Sequence, residues 1–191
     1  GHPAVKSPHI DKLAQRGVRF DRAYTQYPIC NPSRTSFLSG YRPGKGPNIL
    51  RDTTWLPMHF LKSGYVVGTI AKVAHTPEMA RLCGFEEYKK SNKDIAAKVR
   101  DFLAENKKKP FFLGIGLSQT HPGYQSLPQF RKLYPPEKIT WEKEPPDIRA
   151  KVPPVAFEGF LNQNLDDAAR RKHIASYWAA VSTLDSYVGA I

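Results

Sequence analysis

A layered α/β domain, with a central sheet flanked by helices, is what this chain predicts, on three observations. Two short apolar runs, Tyr65–Ile70 and Phe111–Leu117, are bounded by Gly or Pro and have the length of buried strands. Stretches of helical spacing alternate with them. Hydrophobic residues make up 40% of the 191 residues, which suffices for one domain with a true core.

In chain order, Ser7-Pro8 opens a short helix, Ile10 to Arg16, that stops at Gly17. Val18 to Tyr24 alternates and reads as a strand, and the loop Thr25 to Ile29 delivers Cys30. A helix-like segment then runs from Pro32 to a closing Gly40. Thr54 is placed to cap a helix over Trp55–Lys62, which ends at Ser63-Gly64. The strand Tyr65–Ile70 follows. Asn92–Glu105 has helical spacing through Ile95, Val99, Phe102 and Leu103, and Pro110 starts the strand Phe111–Leu117. Residues 135–154 hold Pro135, Pro136, Pro145, Pro146, Pro153 and Pro154, so an irregular surface excursion is expected. Asp166–Ile191 reads as a long helix with Ile174, Trp178, Val181, Leu184 and Val188 inward. No internal repeat is apparent.

The formal net charge of +12 favours an acidic partner: nucleic acid, a sulfated glycan or an anionic surface. The lysines cluster at Lys89, Lys90, Lys93 and Lys98 and at Lys107-Lys108-Lys109, a pattern that also suits a solvated helix face and a polar turn. Basic residues do not interleave with aromatics as in single-strand nucleic-acid binders, so no nucleic-acid partner is expected. No run approaches the ~18 apolar residues of a membrane span. Two cysteines, Cys30 and Cys83, make no disulfide framework, and Cys83 is expected half-buried without a role. The single Asn-x-Ser triplet, Asn31-Pro32-Ser33, is barred from glycosylation by its proline, which leans toward a bacterial source.

The densest chemistry lies in Cys30-Asn31-Pro32-Ser33-Arg34-Thr35-Ser36-Phe37-Leu38-Ser39-Gly40. A thiol at a helix N-terminus meets unpaired N–H groups and the positive end of the helix dipole, which suits an anionic substrate. Arg34, about one turn on, carries a permanent charge and a fork that matches oxyanions. An anion-handling pocket follows from these residues alone. Two further candidates fall at strand ends, where such folds keep their chemistry. They are Lys72 and His75, after the first strand, and His121, in Ser118-Gln119-Thr120-His121-Pro122 after the second. His2, His9, His59 and His173 read as bystanders.

Cys30, Pro32, Ser33, Arg34, Ser39 and Gly40 together resemble the signature of the type I, formylglycine-dependent sulfatases. Lys72-Val73-Ala74-His75 looks like that family's Gly-Lys-x-x-His element, with Ala71 in place of the glycine. Its lysine-histidine spacing matches the iduronate-2-sulfatase-like branch. His121-Pro122 is similar to that branch's His-Pro element, although a preceding Pro-His pair is replaced by Thr120-His121. Ser7–Phe20, Leu133–Ile139 and Tyr177–Asp185 also resemble segments of the family, in the family's order.

The resemblance implies the alkaline-phosphatase-like sulfatase fold, with a central mixed sheet flanked by helices and incomplete here. Residues 1–191 would be part of the N-terminal catalytic domain of a sulfatase. Residue 30, oxidised to formylglycine by a formylglycine-generating enzyme, would attack sulfur as its hydrate and pass through a covalent sulfate hemiester. Arg34 would hold the hydrate. Lys72 would bridge nucleophile and sulfate, and His75 would act as base. His121 would contact sulfate and protonate the leaving oxygen. Calcium, or another divalent ion, would be the cofactor, touched by residue 30.

The family's two acidic ligand elements, an adjacent aspartate pair on an opening strand and an Asp-Asn or Asp-His pair after a later one, are not matched. Asp166-Asp167 opens a helix, where acidic residues simply stabilise, and does not inherit the role. The chain therefore reads as an interior piece that binds metal poorly and is inactive alone. The expected substrate is a sulfated, anionic small molecule or polysaccharide. The expected site of action is extracytoplasmic, periplasmic or secreted rather than lysosomal. Two alternatives stand beside this reading: a phosphatase or phosphonate hydrolase of the same superfold, and a non-catalytic polyanion-binding module.

Overall fold

A computed structural model describes residues 2–42, 53–85, 94–141, 145–157 and 165–191. Lys89, Lys90, Asn92, Lys93 and residues 142–144 of the proline-rich segment lie outside them. The helices are α1 Pro8–Arg16, α2 Cys30–Ser39, α3 Leu56–Lys62, α4 Pro77–Leu82, α5 Ile95–Asn106, α6 Pro128–Arg131, α7 Ile148–Lys151 and α8 Asp167–Ala190. Among the described residues there are two strands, β1 Val66–Ala71 and β2 Phe111–Gly116. The chain divides into two compact units, Pro8–Ser118 with Ser186–Ile191, and Gly1–Ser7 with Gln119–Asp185.

The first unit is a helix–sheet–helix sandwich. β1 and β2 pair in parallel, from Val66 opposite Phe111 to Ala71 opposite Gly116. Alternation along the strands sends Val67 and Phe112 to one face, where Phe60 of α3 stacks on Phe112 at 4.9 Å. Val67 there packs beside the buried cluster Leu38, Trp55, Val73, Ala74, Met79, Ala80, Cys83 and Phe85. Gly68, Ile70, Leu113 and Ile115 face α5, whose Ile95 and Val99 are 1% and 2% exposed. Burying each of those two side chains is worth roughly 1.5–3 kcal/mol. The crossover between the parallel strands carries α4 and α5, as parallel pairing requires.

The sheet is, among the described residues, this parallel pair rather than a mixed sheet. Val18–Tyr24 forms no strand: Val18, Phe20 and Tyr24 are 81%, 77% and 82% exposed. Alternation alone does not make a strand. The backbone groups need a partner, and none of the described strands lies beside this segment. Trp55, not Thr54, is the N-cap of α3, and it makes no side-chain capping bond.

The second unit is built on α8. Its buried positions are Ala175, Ala179, Ala180, Ser182, Thr183 and Asp185. The large residues expected inward, Ile174, Trp178, Val181, Leu184 and Val188, are half-buried instead. Small residues let neighbouring segments approach the helix backbone, and the bulky ones pack along the margins of that contact. Tyr134 and Ile139 close the cluster from outside the helix. The Tyr134 hydroxyl and the Ser182 hydroxyl lie 2.6 Å apart. The Lys6 N–H donates to Tyr134 Oη at 2.8 Å, and Ser182 Oγ donates to the Lys6 carbonyl at 2.7 Å. The N-terminal segment is thereby bonded to both residues. In the proline-rich segment, Pro136–Lys138 forms a turn of 3-10 helix, and Arg171 lies over the Trp141 ring at 4.8 Å.

β1 ends in a left-handed residue. Ala71 has φ +59°, a conformation that costs an L-residue roughly 1–2 kcal/mol and that glycine adopts freely. Ala71 is also 6% exposed, so its methyl contributes about 0.8 kcal/mol of burial. Ala71→Gly should therefore leave unfolding free energy within about 1 kcal/mol of the parent, relief of φ offsetting the lost methyl and the freer unfolded chain. Ala71→Val should lower it by roughly 2 kcal/mol or more, because a β-branched side chain at positive φ is strained and overfills the site. Chemical denaturation midpoints of the two variants check this pair of outcomes.

Candidate active site

Cys30 is the first residue of α2, with Ile29 as its extended N-cap and no side-chain capping bond. Gly40, at φ +78°, ends the helix and returns its N–H to the Ser36 carbonyl. The pattern Cys-x-Pro…Gly thus works as a complete helix with the thiol on its opening turn. The Thr25 and Ser33 hydroxyls, 3.0 Å apart, tie the approach loop to that turn.

The first-unit candidates come together here. Cys30 Sγ lies 3.5 Å from His75 Nδ1, in a part-buried setting. Arg34 Nη1 donates to the carbonyls of Lys72 at 2.6 Å and Val73 at 2.7 Å. Helix α2 is thereby pinned to the loop that carries Lys72 and His75. That guanidinium nitrogen serves the loop backbone, a connection that spacing along α2 does not reveal.

The loop itself is fixed by the sheet. Lys72 N–H donates to the Gly116 carbonyl at 3.0 Å, one step beyond the paired residues. A Cβ at position 116 would sit 2.0 Å from the Lys72 carbonyl oxygen, so only glycine lets the two backbones cross. Ala71 then turns the chain away through its positive φ. At the other end, Thr76 caps α4, its Oγ1 accepting the Met79 N–H at 3.1 Å. The His75 N–H points to Met79 Sδ at 3.3 Å, and Met79 is fully buried. Helix α4 was not among the expected elements, although Thr76-Pro77-Glu78 is the grammar of a helix start.

His121 belongs to the other unit. It is exposed, its Nδ1 is 3.2 Å from the Pro122 carbonyl, and its own carbonyl accepts the Tyr124 N–H at 2.9 Å. His2 packs on Trp178 at 4.9 Å between ring centres and His173 on Tyr124 at 6.3 Å.

The described residues around Cys30 do not by themselves make a calcium site. Calcium takes six to eight hard oxygen ligands. Residue 30 is surrounded instead by an imidazole and by a loop pinned with a guanidinium. Asn31 Oδ1 is buried with no hydrogen-bond partner among the described residues, but one neutral amide oxygen makes no such site. Among the described residues no group of three or more His, Cys, Asp or Glu side chains could hold a metal ion.

The two cysteines live in different surroundings. Cys83 is fully buried rather than half-buried, and burial pushes its thiol up to about 12. Cys30 is partly exposed.

A family model described as Sulfatase matches residues 1–191. The human protein iduronate 2-sulfatase is 27% identical over 261 residues, a match covering 100% of this chain and 47% of that protein. A sulfatase of Formosa agariphila is 25% identical, covering 98% of this chain and 50% of its own. The chain thus spans about half the length of these curated relatives. Among solved structures, a phosphonate monoester hydrolase of Agrobacterium radiobacter superposes with a TM-score of 0.76 over 99% of this chain and 54% of that one. Its 16% identity makes that likeness one of fold. No helix among the described residues is long and apolar enough to cross a membrane.

With its thiol near 12, Cys83 holds only about one part in ten thousand as thiolate at pH 8. Iodoacetamide added to the unoxidised chain at that pH should alkylate Cys30 and leave Cys83 unlabelled until denaturant is added. Peptide mass mapping of the labelled protein checks the order.

Proposed function

The chain belongs to the sulfatase family, and from that premise we propose that it is the nucleophile-bearing part of a sulfuric ester hydrolase. The observation that carries the proposal is the 3.5 Å contact between Cys30 Sγ and His75 Nδ1 at the opening turn of α2. The sulfur occupies the position that an oxygen of the hydrated aldehyde would take after oxidation to formylglycine. The aldehyde supplies a geminal diol, one hydroxyl of which is a nucleophile while the other opens an exit for sulfate. Calcium, or another divalent ion, is the metal the family reading adds. Residue 30 would touch it, and the described residues do not by themselves complete a site for it.

The chain's own residues have distinct tasks in this reading. His75 Nδ1, within reach of residue 30, takes the proton whose loss expels sulfate. Lys72 stabilises negative charge as it moves toward the leaving group. Arg34 holds the backbone from which Lys72 and His75 project, so its removal disturbs both at once. His121 is assigned the sulfate contact and the proton for the departing oxygen. The substrate is a sulfate ester on an anionic small molecule or a polysaccharide, and the enzyme acts outside the cytoplasm. The excess of basic residues supports an anionic substrate by raising its local concentration.

Two measurements test the reading. In a host that makes the maturation enzyme, the peptide containing residue 30 should weigh about 18 mass units less than its cysteine form, sulfur and two hydrogens being exchanged for a carbonyl oxygen. A cysteine left wholly unmodified in such a host would sink the proposal. In the full-length enzyme, His75→Ala should lower kcat by roughly 10²–10⁴ with a smaller change in KM, as loss of a proton-transfer group does. Steady-state hydrolysis of 4-nitrophenyl sulfate provides that comparison, and an unchanged kcat removes His75 from the role.

A further inference from the structure

The second unit contains a groove of about 790 Å3 that the catalytic residues do not account for. Tyr124, Arg131, Tyr134, Lys172, His173 and Ser176 line it, and no carboxylate does among the described residues. Arg131 is held in place: its Nε donates to Ser126 Oγ at 3.0 Å and its Nη2 to the Ser126 carbonyl at 2.7 Å. A guanidinium already oriented by two bonds loses little freedom when an oxyanion docks on it. Lys172 adds a point charge from α8.

Tyr124 is the second observation. It has φ +37°, an unfavourable conformation for a residue with a side chain. Strain of this kind persists where surrounding contacts over-determine it, and it clusters at ligand clamps. Here the contacts are edge-on rings, with Tyr177 at 5.7 Å and 80° and His173 at 6.3 Å and 87°. They fix the phenol in the groove as an apolar wall with a polar tip. The backbone N–H of Tyr124 also closes the turn that begins at His121, at 2.9 Å. The groove, lined from Gly123 onward, therefore starts two residues from a candidate sulfate contact.

We propose that this groove binds a second, non-scissile anionic sugar unit of an extended glycan, with Arg131 and Lys172 on its sulfate or carboxylate and Tyr124 against its ring. The proposal rests on the sulfatase reading for its choice of glycan. A cationic, carboxylate-free groove with a fixed aromatic wall matches an acidic pyranose, which has a charged edge and an apolar C–H face.

The test is calorimetric titration of the full-length protein carrying Cys30→Ala, so that no probe is consumed. The probes are a sulfated dextran oligosaccharide, an oligogalacturonate of equal length and uncharged dextran. Binding of the first or the second identifies the anion, and binding of neither overturns the proposal. Arg131→Ser with Lys172→Ser should weaken that binding by about tenfold or more, as loss of two charge-assisted contacts does. Lys107→Ser with Lys108→Ser makes the same change in net charge at an exposed turn of the other unit and should leave affinity unchanged. Equal losses in both pairs, or none in either, overturn the groove. Tyr124→Gly removes the ring while relieving the backbone, so it should lose affinity without lowering the thermal midpoint; full affinity in this variant also counts against the site.

Sulfate release by the unmutated enzyme is scored separately. Groove-dependent binding without any sulfate release defeats the sulfatase reading and keeps the groove. Release with groove-independent affinity does the reverse.

Discussion

Two carbonyls set the terms for the candidate site. Past Ala71 the chain leaves β1, and the sheet no longer supplies partners for the oxygens of Lys72 and Val73. Partly buried backbone acceptors without partners would cost about 1–3 kcal/mol each. Arg34 meets both with a single guanidinium nitrogen. That one solution determines much else. It locks α2 against the end of β1, holds Cys30 opposite His75, and makes a long, permanently charged side chain necessary at the fourth position after Cys30. Lysine offers one mobile ammonium in place of a rigid fork, so the exchange would not be conservative here.

How much of this could be read from the residues depends on what kind of information each feature carries. α2 was legible because its whole grammar is local: a helix start at Cys30-x-Pro32 and a stop at Gly40. β1 and β2 were legible because buried parallel strands are continuous apolar runs. β1 lies one residue later than expected and β2 ends one residue earlier, as strand boundaries do. Val18–Tyr24 misled for the complementary reason. Its alternation is local, but a strand is a property of two segments, and the second is not among those described. The buried face of α8 also escaped, because side-chain size suggested Ile174, Trp178 and Val181 where close packing selected Ala175, Ala179 and Ser182.

The site was legible as a set of residues and not as an arrangement. Cys30, Arg34, Lys72 and His75 were all named from motifs, and the fold brings these four to the meeting of α2 with the loop after β1. The bond from Arg34 to the loop backbone leaves no trace in spacing. The reason for an element's glycine did emerge: where the family pattern has Gly before the lysine, this chain has Ala71 at φ +59°. That left-handed conformation is one glycine adopts freely. The basic excess was legible only as a total; its local meaning depends on where the cations gather, as Arg131 and Lys172 do in a groove that no carboxylate of the described residues lines.

The hydrogen bonds of Lys6 have a kinetic consequence. Its N–H waits for Tyr134, 128 residues on, and its carbonyl for Ser182, 176 residues on. Loops of that size close slowly because the chain entropy must be lost before any contact forms. On the ribosome, the segment around Lys6 therefore cannot take its final place until Ser182 has been made. Pro8–Ser118, with its sequence-local strand–helix–strand unit, can assemble well before then. A segment made early is thus docked late.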